Sequence, residues 1–127
     1  MEVVATICSK EKLTDTKPLP ANERYLGSHI TFVKQVAEKR RLPFFIVSGV
    51  YGLISANEKI PYYDHLLIKS EVEALAEKIA TQLKERGISV IHLYSKEKPN
   101  WKVYEEALMG GAKLTGAEVE TQMLAAS

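Results

Sequence analysis

Apolar residues arrive in this chain as short β-branched runs separated by stretches with helical spacing, and that alternation predicts most of its elements. Val3 to Ile7 (VVATI) carries no charge and reads as a strand buried on both faces. Phe44 to Val47 and Ile88 to Tyr94 (ISVIHLY) read the same way. Between the first two runs, Ile30, Val33, Val36 and Ala37 share one face of a helix expected from His29 to about Arg40. Ser28 is its expected cap, and Arg40 and Arg41 suit the negative end of its dipole. Val72, Leu75, Ala76, Ile79 and Leu83 then recur at i, i+3, i+4, i+7 and i+11. Ser70 and Glu73 have the spacing of a capping box for this helix, and Gly87 suits its C′ position. A further helix from about Trp101 to Met109 is expected to stop at Gly110-Gly111. The alternation Val119, Thr121, Met123 predicts a final strand with one solvated face, hence an edge.

Strands alternating with helices imply right-handed βαβ units. The expected fold is α/β, a three-layer α/β/α sandwich with a small, mostly parallel sheet of about four strands, forming a single domain over residues 1–127. From Glu11 to Gly27 the periodicity vanishes and Pro18 and Pro20 exclude a long helix, so an irregular excursion is expected there; long ordered loops tend to carry function. The strand ends Cys8-Ser9-Lys10, Ser48 to Gly52 and Ser95-Lys96 should lie along one rim, where open α/β sheets bind ligands.

Composition narrows the picture mainly by exclusion. Seventeen basic and sixteen acidic residues leave a net charge of +1, which gives no overall pull toward nucleic acid, although Lys39-Arg40-Arg41 and Lys96-Glu97-Lys98 are local basic clusters. No apolar run approaches the roughly 18 residues of a membrane helix, and the N-terminus has no signal-like pattern, so the cytoplasm is the expected compartment. A single cysteine and three scattered histidines argue against a disulfide framework and a structural zinc site. Neither a Walker loop nor a GxGxxG fingerprint is present, and no cofactor or metal is expected.

The rim residues carry the candidate chemistry. Cys8, followed by Ser9 and Lys10, is either a thiol activated by a nearby ammonium or a small buried hydrophobe. Ser9 and Lys10 are candidate contacts for an anion or a hydrogen-bonding ligand. Gly49 and Gly52 flank Val50-Tyr51 and permit close backbone approach or positive φ. Asp64, after Pro61, Tyr62 and Tyr63, is the leading acid, expected to be partly desolvated and able to act as a base; the alternative is a turn cap. Asp64, Ser48 and Cys8 are therefore the catalytic candidates. Ser9, Lys10, Tyr25, Gly27, Ser28, Gly49, Tyr51, Gly52, Tyr63 and Ser95 are the ligand-binding candidates, with Tyr25 or Tyr51 placed to stack. His92, inside a strand, reads as a satisfied core histidine, and Trp101 as packing.

The blocks Ile7 to Lys10, Ala21 to Ser28, Ser48 to Ile54 and Ile60 to Asp64 resemble a family of small bacterial, archaeal and phage domains of unassigned function. That family is distantly similar to the YaaA-type peroxide-stress proteins and to a module of archaeosine synthase. The resemblance implies a connection with nucleic acid or modified nucleobases. The synthase's Cys-x3-Lys-Pro-Tyr motif is only partly kept: Lys98-Pro99 is present, but Tyr94 replaces the cysteine and Asn100 the tyrosine. The expected function is binding of a nucleoside, nucleobase or nucleotide at the carboxyl ends of the strands, with an enzymatic role in nucleic-acid modification left open. The alternative is a non-catalytic DNA- or RNA-binding accessory module in stress response or nucleic-acid processing.

Overall fold

The run Val3–Ile7 lies at the centre of the sheet, as its continuous burial requires. The structure, a computed structural model, describes residues 1–125. In chain order the elements are β1 (Glu2–Ile7), β2 (Leu19–Pro20), α1 (Ala21–Arg24), α2 (Ser28–Arg40), β3 (Phe44–Ser48), β4 (Gly52–Ser55) and β5 (Lys59–Ile60). A 3-10 turn (Lys69–Glu71) then leads into α3 (Val72–Arg86), β6 (Val90–Ser95), α4 (Pro99–Thr115) and β7 (Glu118–Met123).

The main sheet has five strands in the order β4-β3-β1-β6-β7. β1 runs parallel to both β3 and β6, β7 runs parallel to β6, and β4 alone is antiparallel. Val4 packs with Val33 and Ala37 of α2, whereas the alternate residues Val3, Ala5 and Ile7 join Ile79 and Leu83 of α3 and Leu108 of α4. Helices thus cover both faces, and the expected α/β sandwich is the fold. The chain runs from β1 outward to β3, then crosses back over β1 to β6. Strand order therefore reverses between β1 and β6, the topological switch point where such sheets bind ligands. Among the described residues, no helix is long and apolar enough to cross a membrane.

Five differences from the sequence reading have physical causes. The sheet gains β4 because Gly52, at φ 79°, turns the chain back after Ser48, and Leu53 and Ile54 pair with Val47 and Ile46. Gln82 of α3 fixes this turn, accepting from the Leu53 N–H and donating to the Tyr51 carbonyl, both at 2.8 Å. α4 does not stop at Gly110-Gly111 but continues to Thr115, ending at Gly116 with φ 80°. A Cβ on Gly111 would lie 2.7 Å from Ile79 Cγ2 and 2.9 Å from the Ala76 carbonyl oxygen, so the glycine permits close packing of α4 on α3.

Ser28 is the first residue of α2 and Gly27 its N-cap. At α3, Glu71 replaces the expected Ser70–Glu73 box: its carboxylate accepts from the Ile68 N–H at 3.1 Å and pairs with His65 at 2.8 Å. Gly87 does end α3, in the left-handed region at φ 65°.

The excursion after β1 is better ordered than expected. Leu19–Pro20 pairs antiparallel with Lys59–Ile60, and the fully buried Arg24 donates to four backbone carbonyls, those of Leu13, Asp15, Lys17 and Ile60. One side chain thereby supplies the acceptors' partners that a strand ladder would otherwise provide.

Candidate functional site

The strand ends converge on two places, one closed and one open. The closed one gathers Cys8, Tyr25, Ser48, Tyr63 and Tyr104 under the turn between β3 and β4. The Ser48 hydroxyl oxygen accepts the N–H groups of Val50 at 3.2 Å and Tyr51 at 3.0 Å, so its own proton goes to the Tyr63 oxygen at 3.0 Å. Tyr63 also meets the Tyr25 hydroxyl at 2.5 Å. Cys8 is buried beside Gly49, Tyr104 and Tyr63, whose polar groups favour its thiolate less than burial disfavours it. A Cβ on Gly49 would sit 3.3 Å from the Tyr104 ring and hydroxyl, so this turn approaches α4 as closely as a glycine allows. Lys12 lies over the Tyr63 ring at 4.7 Å, and Tyr51 packs edge-on against it.

This arrangement is a satisfied core network. Burial pushes the Cys8 thiol above its ordinary range, and it also raises the phenols of Tyr25, Tyr63 and Tyr104. The activated-thiol expectation is corrected accordingly. The ammonium nearest Cys8 in effect is that of Lys12, not Lys10, and it does not offset desolvation. Asp64 is also corrected: it is exposed, so the partial desolvation expected of it is absent. Ser95 is fully buried, and its hydroxyl has no hydrogen-bond partner among the described residues.

The open place is a cleft at the switch point between β1 and β6. Ser9, Lys10, Gly27 and Ser28 line it from the β1 side, and Lys96, Lys98, Asn100 and Trp101 from the β6 side, around a volume of about 270 Å3. Ser9 holds the β1 side in shape: its oxygen accepts from the Gly27 N–H at 3.1 Å and its proton goes to the Glu11 carbonyl at 2.7 Å. A Cβ on Gly27 would lie 2.6 Å from His29 Cε1 and 2.9 Å from Ser9 Cβ, which explains the glycine there. His29, only 6% exposed, donates from Nε2 to the Ile7 carbonyl at 2.7 Å and rests on Trp101 with ring centroids 4.7 Å apart. Burial lowers its pKa, so the ring is neutral at pH 7. Lys96 lies over the other ring of that pair, 5.7 Å from the Trp101 centroid.

A second, apolar lobe of about 280 Å3 adjoins this one, lined by Phe32, Leu124 and Ala125. The two lobes share Ser28, His29 and Lys96. The helices that flank the cleft are unusual in what they lack: neither α2 nor α4 has a side-chain cap or an acidic residue in its first turn, whereas α3 carries Glu73 there. Pro99 has no N–H, and those of Ile30 and Trp101 are bonded to the carbonyls of Gly27 and Lys98 at 3.0 Å, so what the two helices offer the cleft is chiefly the positive ends of their dipoles. Among the described residues that line the cationic lobe, Glu11 is the one carboxylate.

Of the residues singled out in the sequence, Cys8, Tyr25, Ser48, Gly49, Tyr51 and Tyr63 meet in the closed network. Ser9, Lys10, Gly27 and Ser28 meet in the cleft, and Gly52 serves the turn. The cleft lining includes none of Cys8, Tyr25, Ser48, Gly49, Tyr51 and Tyr63, so the two groups do not share it. Sequence reasoning put Lys96 on the rim without naming it a contact, and did not select His29, Trp101 or Lys98 for the site. The basic cluster Lys96-Glu97-Lys98 immediately after a strand was the available signal.

A family model described as "Family of unknown function (DUF6884)" matches residues 3–124, which include every element described above except the first residue of β1. No curated protein and no solved structure matches the chain. Since the match spans nearly its full length, the chain belongs to the DUF6884 family.

Proposed function

We propose that this protein binds a nucleotide in the two-lobed cleft at the carboxyl ends of β1 and β6. One observation carries the reading: a lysine-rich lobe and an apolar lobe share Ser28, His29 and Lys96 at the switch point of the sheet. Lys10, Lys96 and Lys98, with the uncapped ends of α2 and α4, suit a phosphate. Phe32, 53% exposed, and Leu124 offer a surface for a base. Each lobe is near the lower end of the roughly 300–1,000 Å3 range of small-molecule sites. The resemblance of the sequence blocks to small domains distantly similar to YaaA-type proteins and to a module of archaeosine synthase implies a connection with nucleic acid or modified nucleobases, which supports the same reading. A role in nucleic-acid modification would place this site on the substrate's nucleotide; the closed network around Cys8 contributes shape and no nucleophile.

The test is a thermal-shift and calorimetric screen of the four ribonucleoside monophosphates, with inorganic phosphate and a 5′-phosphorylated oligonucleotide in parallel. Binding of at least one mononucleotide is expected. Lys98→Ala should weaken it about tenfold, the scale of one charge-assisted hydrogen bond. Absence of binding to every mononucleotide at millimolar concentration overturns the proposal. Salt-dependent binding of the oligonucleotide alone would favour the nucleic-acid-binding alternative, with the same lysines tracking a backbone.

A further inference from the structure

The three residues common to both lobes occupy the place between base and phosphate, which in a nucleotide belongs to the sugar. Their chemistry is not equivalent. Lys96 is only a donor, and the Ser28 hydroxyl donates or accepts. His29 is a fixed acceptor there. Its Nε2 is committed to the Ile7 carbonyl at 2.7 Å, so in the neutral ring the proton sits on Nε2 and Nδ1 carries a lone pair. Among the described residues Nδ1 has no hydrogen-bond partner, and it is not among their buried, sealed polar atoms. It lies on the Gly27 side of the ring, toward a residue that lines the cationic lobe, and would be 2.8 Å from a Cβ at that glycine. Trp101, packed on the ring, and the Ile7 bond together prevent the imidazole from turning away.

On the reading that the cleft binds a nucleotide, we infer that His29 Nδ1 accepts a hydrogen bond from a sugar hydroxyl, so that the site selects ribonucleotides over their deoxy analogues. The selectivity has a definite origin. A ligand without that hydroxyl leaves the lone pair of a nearly buried, fixed ring facing carbon, and the loss is that of one hydrogen bond, about fivefold in affinity. The charged groups around the ring are Lys96 and Lys98, which oppose its protonation, and Glu11, which favours it. Protonation would turn Nδ1 from acceptor to donor, and a hydroxyl also accepts, so the preference for a hydroxyl over carbon does not depend on the charge of the ring.

The experiment is calorimetry on the intact protein with a ribonucleoside monophosphate that binds, its 2′-deoxy form and its 3′-deoxy form, at pH 8. The inference expects one deoxy form to bind about fivefold more weakly. His29→Ala should bind all three alike. Equal affinity of all three ligands for the unmodified protein at pH 8 overturns the inference and leaves nucleotide binding standing; no binding of any mononucleotide overturns both. The ligand series on the unmodified protein decides the matter even if His29→Ala does not fold. Trp101, the single tryptophan, rests on His29 and gives a second readout through its fluorescence.

Discussion

Ser48 has no freedom in where it sends its proton, because both of its lone pairs are taken by the turn that follows it. Tyr63→Phe removes the acceptor and leaves a buried hydroxyl proton unpaired, with an expected loss of about 1–3 kcal/mol in urea unfolding and an unchanged m-value. A loss under 0.5 kcal/mol, within the range of ordinary surface changes, would show that the network is not closed as described. Cys8 gives an independent check. With its thiol raised by burial, a disulfide reagent should modify it slowly in buffer and rapidly in urea. Rapid modification of the native protein would restore it as a nucleophile. At this scale the sequence was only half readable. Ser48, Tyr51 and Cys8 were recognisable as strand-end residues, but whether their polar atoms face a ligand or one another depends on Tyr63 and Tyr104, which arrive from distant segments. Asp64 misled because its apolar neighbours in sequence do not surround it in space.

The α3–α4 contact shows how an element can depend on what a residue lacks. By helix propensity alone, Gly111→Ala should stabilise α4 by about 0.8–1 kcal/mol. The added methyl would press on Ile79 and the Ala76 carbonyl, and the expected net result is destabilisation by about 1–3 kcal/mol, read as a lower Tm. Gly110→Ala meets only the Ala76 methyl at 3.0 Å and should cost less. A higher Tm for Gly111→Ala would mean that the two helices do not pack this closely. The same pair of glycines explains why the helix seemed to end early: their intrinsic preference is to terminate, and tertiary packing overrides it. Strands β1, β3, β6 and β7 were legible because their apolar runs are continuous or alternate. β4 was hidden because its reversal falls inside an apolar stretch, and the only mark of it is Gly52. The cleft was hidden for another reason. His29 and Trp101 begin helices on opposite sides of the switch point, and only the strand order brings them together.

For the whole molecule, acid should be destabilising well before the bulk of the carboxylates titrate. His29 is lowered by burial, so the unfolded chain binds its proton first; its contribution is present above the unfolded value of 6.5 and is lost as pH falls toward its folded value. Glu2, held down chiefly by its hydrogen bond from His92, and Glu71, by the Ile68 N–H, add a second loss below about 4.5. Tm should therefore fall in two stages between pH 7 and 3, and a replacement of His29 that folds should flatten the first stage. A Tm that is level from pH 7 to 5 would contradict the burial of that ring. His92 sits between Glu2 and Glu120 at 2.6 and 2.8 Å, tying β1, β6 and β7 across the sheet. The central place of β1 also bears on synthesis. Its first residues pair with Phe44 to Val47 on one side and with Val90 to Tyr94 on the other, so no early piece of the nascent chain holds a finished core. Until β6 leaves the ribosome, one edge of β1 stays bare. The domain must therefore close late and all at once, a topology that makes folding slow and a truncated chain prone to aggregate.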